Sequence, residues 1–135
     1  MKQKTLARLA NEAAGLLQRI VRMKAALAAG GDLIACVTCG VRYHWKEMDG
    51  GHYVSRTHAA TRLMEENIHP QCKRCNGYLR GNLTSYAIYM LEMYGAEFLK
   101  ELDRLKHKTH KWSRPELLDL IAELKQQAAE LERQL

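Results

Sequence analysis

Cysteines stand at positions 36, 39, 72 and 75, as two Cys-x-x-Cys pairs, Cys36-Val37-Thr38-Cys39 and Cys72-Lys73-Arg74-Cys75. Two thiolates three positions apart on a tight turn can face one ion. A second pair far along the chain would complete four sulfur ligands in a tetrahedron, about 2.3 Å from a zinc ion. Such a centre would clamp two remote segments together. The alternative is a pair of disulfides. The chain opens with Lys2, Lys4 and Arg8 in an amphipathic pattern and shows no apolar signal run. A cytoplasmic location is therefore expected, where thiols stay reduced. Spacing and compartment together favour structural zinc over disulfides.

Between the pairs lies Asp49-Gly50-Gly51-His52-Tyr53. An imidazole titrates near neutral pH, so His52 could take a proton from a water molecule. A histidine standing alone is more often solvated or structural. His52 does not stand alone. Asn67 leads into Asn67-Ile68-His69-Pro70-Gln71-Cys72, and Asn76 directly follows Cys75.

The whole set runs Cys-x-x-Cys-Gly, Gly-His-Tyr, Asn-x-x-Pro-x-Cys, Cys-x-x-Cys-Asn-x-x-Leu-x-Gly-Asn and then Tyr86. It resembles the HNH (His-Me finger) nucleases with an endonuclease VII-like zinc core, and more nearly the NinG/Rap recombination nucleases of lambdoid phages. The likeness covers about Cys36 to Gly95. It implies a zinc-bound ββα-metal core and a metal-dependent endonuclease acting on branched DNA such as Holliday junctions and D-loops. It also implies a phage- or prophage-encoded protein of the bacterial host cytoplasm. Under it, His52 is the general base, Asn76 ligates a catalytic magnesium or manganese ion, and Asn67 braces the loop that orients His52. An amide oxygen is a hard ligand and suits magnesium, whereas thiolates suit zinc.

Many such enzymes carry Asp directly before the catalytic His. Here that position is Gly51. Asp49 would point to the opposite face from His52 by strand alternation, which makes it the less favoured metal ligand, although the Gly-Gly pair could bring it round. Two other readings stand beside this one. The first is a zinc-stabilised module that binds DNA or protein without catalysis. The second is an HNH nuclease with no preference for branches.

The formal net charge is +6. Residues 1–31 carry six Lys/Arg and one acid, residues 32–83 seven and five, and residues 84–135 eight and nine. A basic balance suits a polyanionic partner, though a basic protein need not have one. Arg56, Lys73, Arg74 and Arg80 flank the candidate residues and could hold phosphates. Arg42, Tyr43, His44, Trp45 and Lys46 alternate bases with aromatics. Such a strand could stack on unpaired bases, with Trp45 equally suited to packing under the zinc turn. His44, His58, His69, His107 and His110 receive no assigned chemistry.

Elements must position these residues. At 135 residues the chain is long enough for one small core with helical extensions, and no apolar run reaches membrane length. Leu6, Leu9, Ala13, Leu16, Ile20, Met23 and Leu27 form a helical stripe that ends at Gly30-Gly31. After Gly81-Asn82 the pattern turns helical again. Tyr86, Met90, Leu91 and Tyr94 share a face before Gly95, and Phe98, Leu99, Leu102 and Leu105 share the next. Residues 106–112 read as a basic linker. Ser113-Arg114-Pro115-Glu116 is a capping box that opens a last helix with a stripe from Leu117 to Leu135. The expected fold is mainly α, with a small zinc-bound core at 32–83 between a helix at 1–31 and a helical region at 84–135. Each terminal stripe needs a partner, found either within one chain, where both would cover the monomer's core, or across two chains. The expectation favours a homodimer, because two sites related by a two-fold would suit symmetric cuts in a branch.

Overall fold

The computed structural model describes residues 3–135; Lys2, part of the basic start, lies outside the described residues. Thr5 opens helix α1 (Leu6–Ala29), its side chain accepting from the Arg8 N–H. That bond satisfies one of the four donors a helix start leaves free. The helix stops at Gly30, whose φ of 72° places it in the left-handed region and turns its N–H onto the carbonyls of Ala26 and Leu27.

Two short hairpins follow. Strand β1 (Leu33–Ala35) pairs antiparallel with β2 (Arg42–His44), setting Ile34 opposite Tyr43. Strand β3 (Asp49–His52) pairs antiparallel with β4 (Ile68–Gln71), setting Asp49 opposite Gln71 and His52 opposite Ile68. The excursion between β3 and β4 carries the single-turn helix α2 (Ala59–Arg62). Strand β4 runs directly into Cys72 and a π-helical turn, Arg74–Tyr78.

Helix α3 (Leu83–Tyr94) ends at Gly95, and α4 (Ala96–Lys106) begins there. Helix α5 (Arg114–Gln134) opens on the expected capping box: the Ser113 side chain accepts from the Glu116 N–H, and the Glu116 carboxylate accepts from the Ser113 N–H.

Helix α1 packs along α5 and also lies across β3 and β4. One core holds Leu9, Ala13, Leu17 and Ile20 of α1, Leu117, Ile121 and Leu124 of α5, and Ile68, Cys72 and Cys75 of the central segment. A fully buried leucine or isoleucine contributes on the order of 1.5–3 kcal/mol, so this seam is the main hydrophobic support of the site. A second cluster joins Tyr86 and Met90 of α3 to Leu102 of α4.

The two terminal stripes therefore satisfy each other within one chain. The α1–α5 packing within one chain, rather than a second copy, covers most of these stripes. Trp45 also takes the packing role. It is 4% exposed in the main core, with the Arg19 guanidinium 5.3 Å and the Lys46 ammonium 5.6 Å from its ring centroid. Its indole is too deeply set to stack on a base, whereas Tyr43 stays half-exposed. The fold is mainly helical with two small sheets. Among the described residues, no helix is long and apolar enough to cross a membrane.

Candidate functional site

The four cysteines converge. Their sulfur atoms all lie within 4.8 Å of one another, and Cys39 Sγ is 3.7 Å from Cys72 Sγ. A tetrahedron with zinc–sulfur bonds of about 2.3 Å has an edge of about 3.8 Å, while a disulfide would need about 2.05 Å. All four are free thiols. The tight turns that hold them are backbone-bonded, Gly40 N–H to Cys36 O at 2.9 Å and Cys36 N–H to Val41 O at 2.8 Å. The sulfurs are met by donors as well: Cys75 N–H on Cys72 Sγ at 3.4 Å, and Asn82 Nδ2 on Cys75 Sγ at 3.5 Å. Burial pushes the Cys39 thiol up to about 12 and raises Cys72. Burial opposes ionisation of Cys36 too, but hydrogen bonds from Thr38 and from backbone N–H groups hold it at about 6. Soft, closely gathered sulfurs of this kind fit one zinc ion, whose charge would stabilise the thiolates together. The cluster could thus bind zinc.

His52 ends β3. Its Nε2 lies 2.9 Å from the carbonyl oxygen of Arg62. A carbonyl only accepts, so Nε2 carries the proton and Nδ1 keeps its lone pair. Burial lowers the His52 pKa, with the Arg62 and Arg56 charges adding to it, against the opposing hydrogen bond to the Arg62 carbonyl. The ring is therefore neutral at pH 7.

Asn67 is fully buried and braces the excursion that supplies this carbonyl. Its Nδ2 donates to Val54 O at 3.0 Å and Thr61 O at 3.2 Å, and its Oδ1 accepts from Val54 N–H at 2.8 Å. One amide thus ties the start of the excursion to α2, one residue from Arg62.

Asn76 sits in the π-helical turn, with Nδ2 donating to Asp49 Oδ2 at 3.1 Å. Asp49 Oδ1 accepts from Lys73 Nζ at 2.7 Å. The turn folds back under β3, so Asp49 meets Asn76 even though alternation sets it across the strand from His52. Gly51 explains the spacing: a Cβ there would lie 1.8 Å from Gln71 Oε1 and 3.1 Å from Asn76 Oδ1. Gln71 is fully buried, with Nε2 donating to Gly81 O at 2.9 Å and Thr38 Oγ1 at 3.2 Å, while Oε1 has no partner. No side chain fits at 51, and the nearest carboxylate is two residues earlier. Asp49 and Asn76 carry hard oxygens, the donor type that suits magnesium or manganese; here the two carboxylate oxygens accept from Lys73 Nζ and Asn76 Nδ2.

A cleft of about 470 Å³ is lined by His52, Arg56, Asn76, Arg80 and Gln18. Lys73 and Arg74 line a separate groove of about 580 Å³ beside Cys39, Cys72 and Tyr43. Arg42 and Lys46 are exposed but line neither opening. The structure thus gathers His52, Asn76, Arg56 and Arg80, and sets Lys73 and Arg74 to one side.

Three features went unseen in the sequence. Gln18 of α1 donates to Gly50 O at 3.1 Å and walls the cleft. Arg62 supplies the carbonyl to His52. His69, left without chemistry, is buried with its Nδ1 3.1 Å from Tyr86 Oη and its Nε2 2.7 Å from Tyr94 Oη. The Tyr86 hydroxyl donates onward to Gly51 O at 2.6 Å. Only the recurrence of Tyr86 in the motif pointed that way; the Gln18 and Arg62 contacts leave no mark on the residue pattern.

The family model described as Bacteriophage Lambda NinG protein matches residues 1–134. Among curated proteins, the chain is similar to protein ninG of Salmonella phage P22, at 36% identity over 101 residues, 73% of this chain and 48% of that protein. It is similar to protein ninG of Escherichia phage lambda at 35% identity over 101 residues, with the same 73% and 48% coverage. The chain spans about half the length of the curated relatives it matches. No solved structure matches it.

Proposed function

The chain belongs to the bacteriophage lambda NinG family, and from that premise and the cleft around His52 we propose that it is a metal-dependent DNA endonuclease acting on branched recombination intermediates such as Holliday junctions and D-loops in the host cytoplasm. One observation carries the reading: the ring of His52, neutral and locked by the Arg62 carbonyl at 2.9 Å, shares its cleft with Asn76. Nδ1 of His52 takes a proton from water as the water oxygen attacks phosphorus and the bond to the 3′ oxygen breaks. Asn67 keeps the excursion, and hence the ring, in place. Asn76 and Asp49 would hold the divalent cation, which when bound supplies positive charge to the phosphate and the departing oxygen. Arg56 and Arg80 position the backbone; Lys73, Arg74, Arg42 and Lys46 contact phosphates farther off. The hairpin of β3 and β4 running into the turn with Asn76 supports a ββα-metal reading, in which zinc on the cysteine cluster would hold the hairpin.

The test is cleavage of a four-way junction, a replication fork and a linear duplex, with and without magnesium. Junction cutting that needs magnesium is expected. His52→Ala should slow it by roughly 10²–10⁴-fold while leaving DNA binding intact. A His52→Ala protein that cuts at the wild-type rate overturns the assignment. A second reading, a zinc module that binds without cutting, draws on the Lys73 ammonium 2.7 Å from Asp49, which already neutralises the carboxylate. Magnesium-independent binding with no cleavage of any substrate would favour it.

A further inference from the structure

Arg62 meets the site twice. Its carbonyl holds His52, and its side chain turns toward α1, where Nη2 donates to Asn11 Oδ1 at 2.7 Å. Its Nε is buried with no acceptor. Arg56 stands on the same excursion, exposed. Among the described residues, neither guanidinium forms an ion pair with a carboxylate. Both line a cleft of about 450 Å³ with His52, Asn11, Ala14 and Gln18, between α1 and the excursion. Burial works against the Arg62 charge, and the Arg56 charge adds to that.

Two cations gathered in one polar cleft, with no acid to offset them, repel each other, and burial strips Arg62 of part of its hydration. An anion between them removes both penalties, and the guanidinium fork matches phosphate oxygens two at a time. The purely structural alternative makes Arg62 a staple between α2 and Asn11. A staple uses one N–H and one partner, and has no use for Arg56.

We propose that the cleft formed by Arg62, Arg56 and Asn11 is a subsite for a backbone phosphate of the nucleic acid, distinct from the one at Asn76. That this phosphate flanks the scissile one rests on the nuclease reading; the anion site itself does not. The two clefts share Gln18, His52 and Arg56, so one strand can pass through both. The Arg62 residue would then couple the two: seating the phosphate fixes the segment whose carbonyl holds the base.

The test is magnesium-free binding of a short duplex and a four-way junction by the full chain across a salt series. Arg62→Gln should weaken binding by about tenfold and lower the slope of log affinity against log salt by about 0.9, the loss of one phosphate contact. Arg56→Gln should lower the slope similarly, and the double variant by about twice as much. Arg62→Lys should keep the slope and lose part of the affinity, since charge survives and the fork does not. Lys125→Gln on α5, outside the cleft, should leave the slope unchanged. Unchanged affinity and slope in folded Arg62→Gln overturn the subsite. If Arg62→Gln does not fold, the same null result in Arg56→Gln overturns it. A wild-type protein that shows these slopes yet cuts no DNA with any divalent metal sinks the nuclease reading and leaves the subsite standing.

Discussion

The carbonyl on His52 fixes a tautomer but, unlike a carboxylate, brings no full negative charge to raise the basicity of the ring. Burial and two nearby guanidiniums hold its pKa below the ordinary 6.5. A base works only when neutral. The rate of junction cleavage should therefore be flat through pH 7 and fall only as pH drops through a value under 6.5. A kcat/KM profile whose acid limb is centred above 6.5 would contradict His52 as the base. Gly51 gives a second expectation. A methyl there would lie 1.8 Å from Gln71 Oε1, and Gln71 is anchored by two hydrogen bonds and fully buried, so little can yield. Gly51→Ala should destabilise the fold by about 2 kcal/mol, read as a shift in the urea midpoint, and should disturb Asn76 beside it. Wild-type stability in that variant would mean that Gln71 moves freely.

Elements are joined to the site by buried polar bonds. His69 on β4 reaches α3 through Tyr86 and Tyr94, and Tyr86 passes the bond on to Gly51. Because the Tyr86 hydroxyl donates to a carbonyl, it must accept from His69 Nδ1–H. Nε2 must then accept from Tyr94. The chain of bonds exists only with a neutral ring, and burial pushes His69 down to about 4. The folded state thus binds fewer protons than the unfolded state between about 6.5 and about 4. Stability from this group is intact above 6.5 and falls across that window, by up to about 3 kcal/mol. Denaturant midpoints at pH 7 and pH 4 should differ more in the wild type than in His69→Gln; equal differences would refute the account. At the other end, Ser113→Ala should cost about 1 kcal/mol of stability through the lost cap of α5, measurable as a lowered melting temperature.

At the scale of the molecule, two devices hold the site: the α1–α5 seam and the cysteine cluster. The seam lies within one chain, so the unfolding midpoint should not depend on protein concentration. Leu124→Glu buries a charge in the seam and should destabilise by about 3 kcal/mol or more. A midpoint that rises with concentration would show that the stripes pair between chains. The cluster ties the turn after β1 to the turn after β4. Cys72→Ser should release zinc and unfold residues 32–83, because structural zinc contributes folding free energy directly. Metal analysis of reduced wild-type protein should find one zinc per chain, and a zinc-free folded protein would remove the cluster from the list of supports.

What the residue pattern alone determined was everything encoded at short range. The paired cysteines, the Gly30 and Gly95 stops, the Ser113 capping box and the apolar stripes follow from spacings of three and four. These are set by helix geometry and by turns of a few residues. His52, Asn67 and Asn76 were singled out by the resemblance to HNH nucleases, whose pattern sets three such residues around two cysteine pairs. The tertiary structure decided what depends on chain closure. It paired the two stripes with each other, buried Trp45, and drew Asp49 to Asn76. It also put a backbone carbonyl on His52, and a carbonyl has no residue signature, since every residue carries one. His69 looked idle because its partners lie 17 and 25 positions away. Arg62 drew no notice in the sequence, because its place beside Asn11, Arg56 and His52 exists only once the chain is folded.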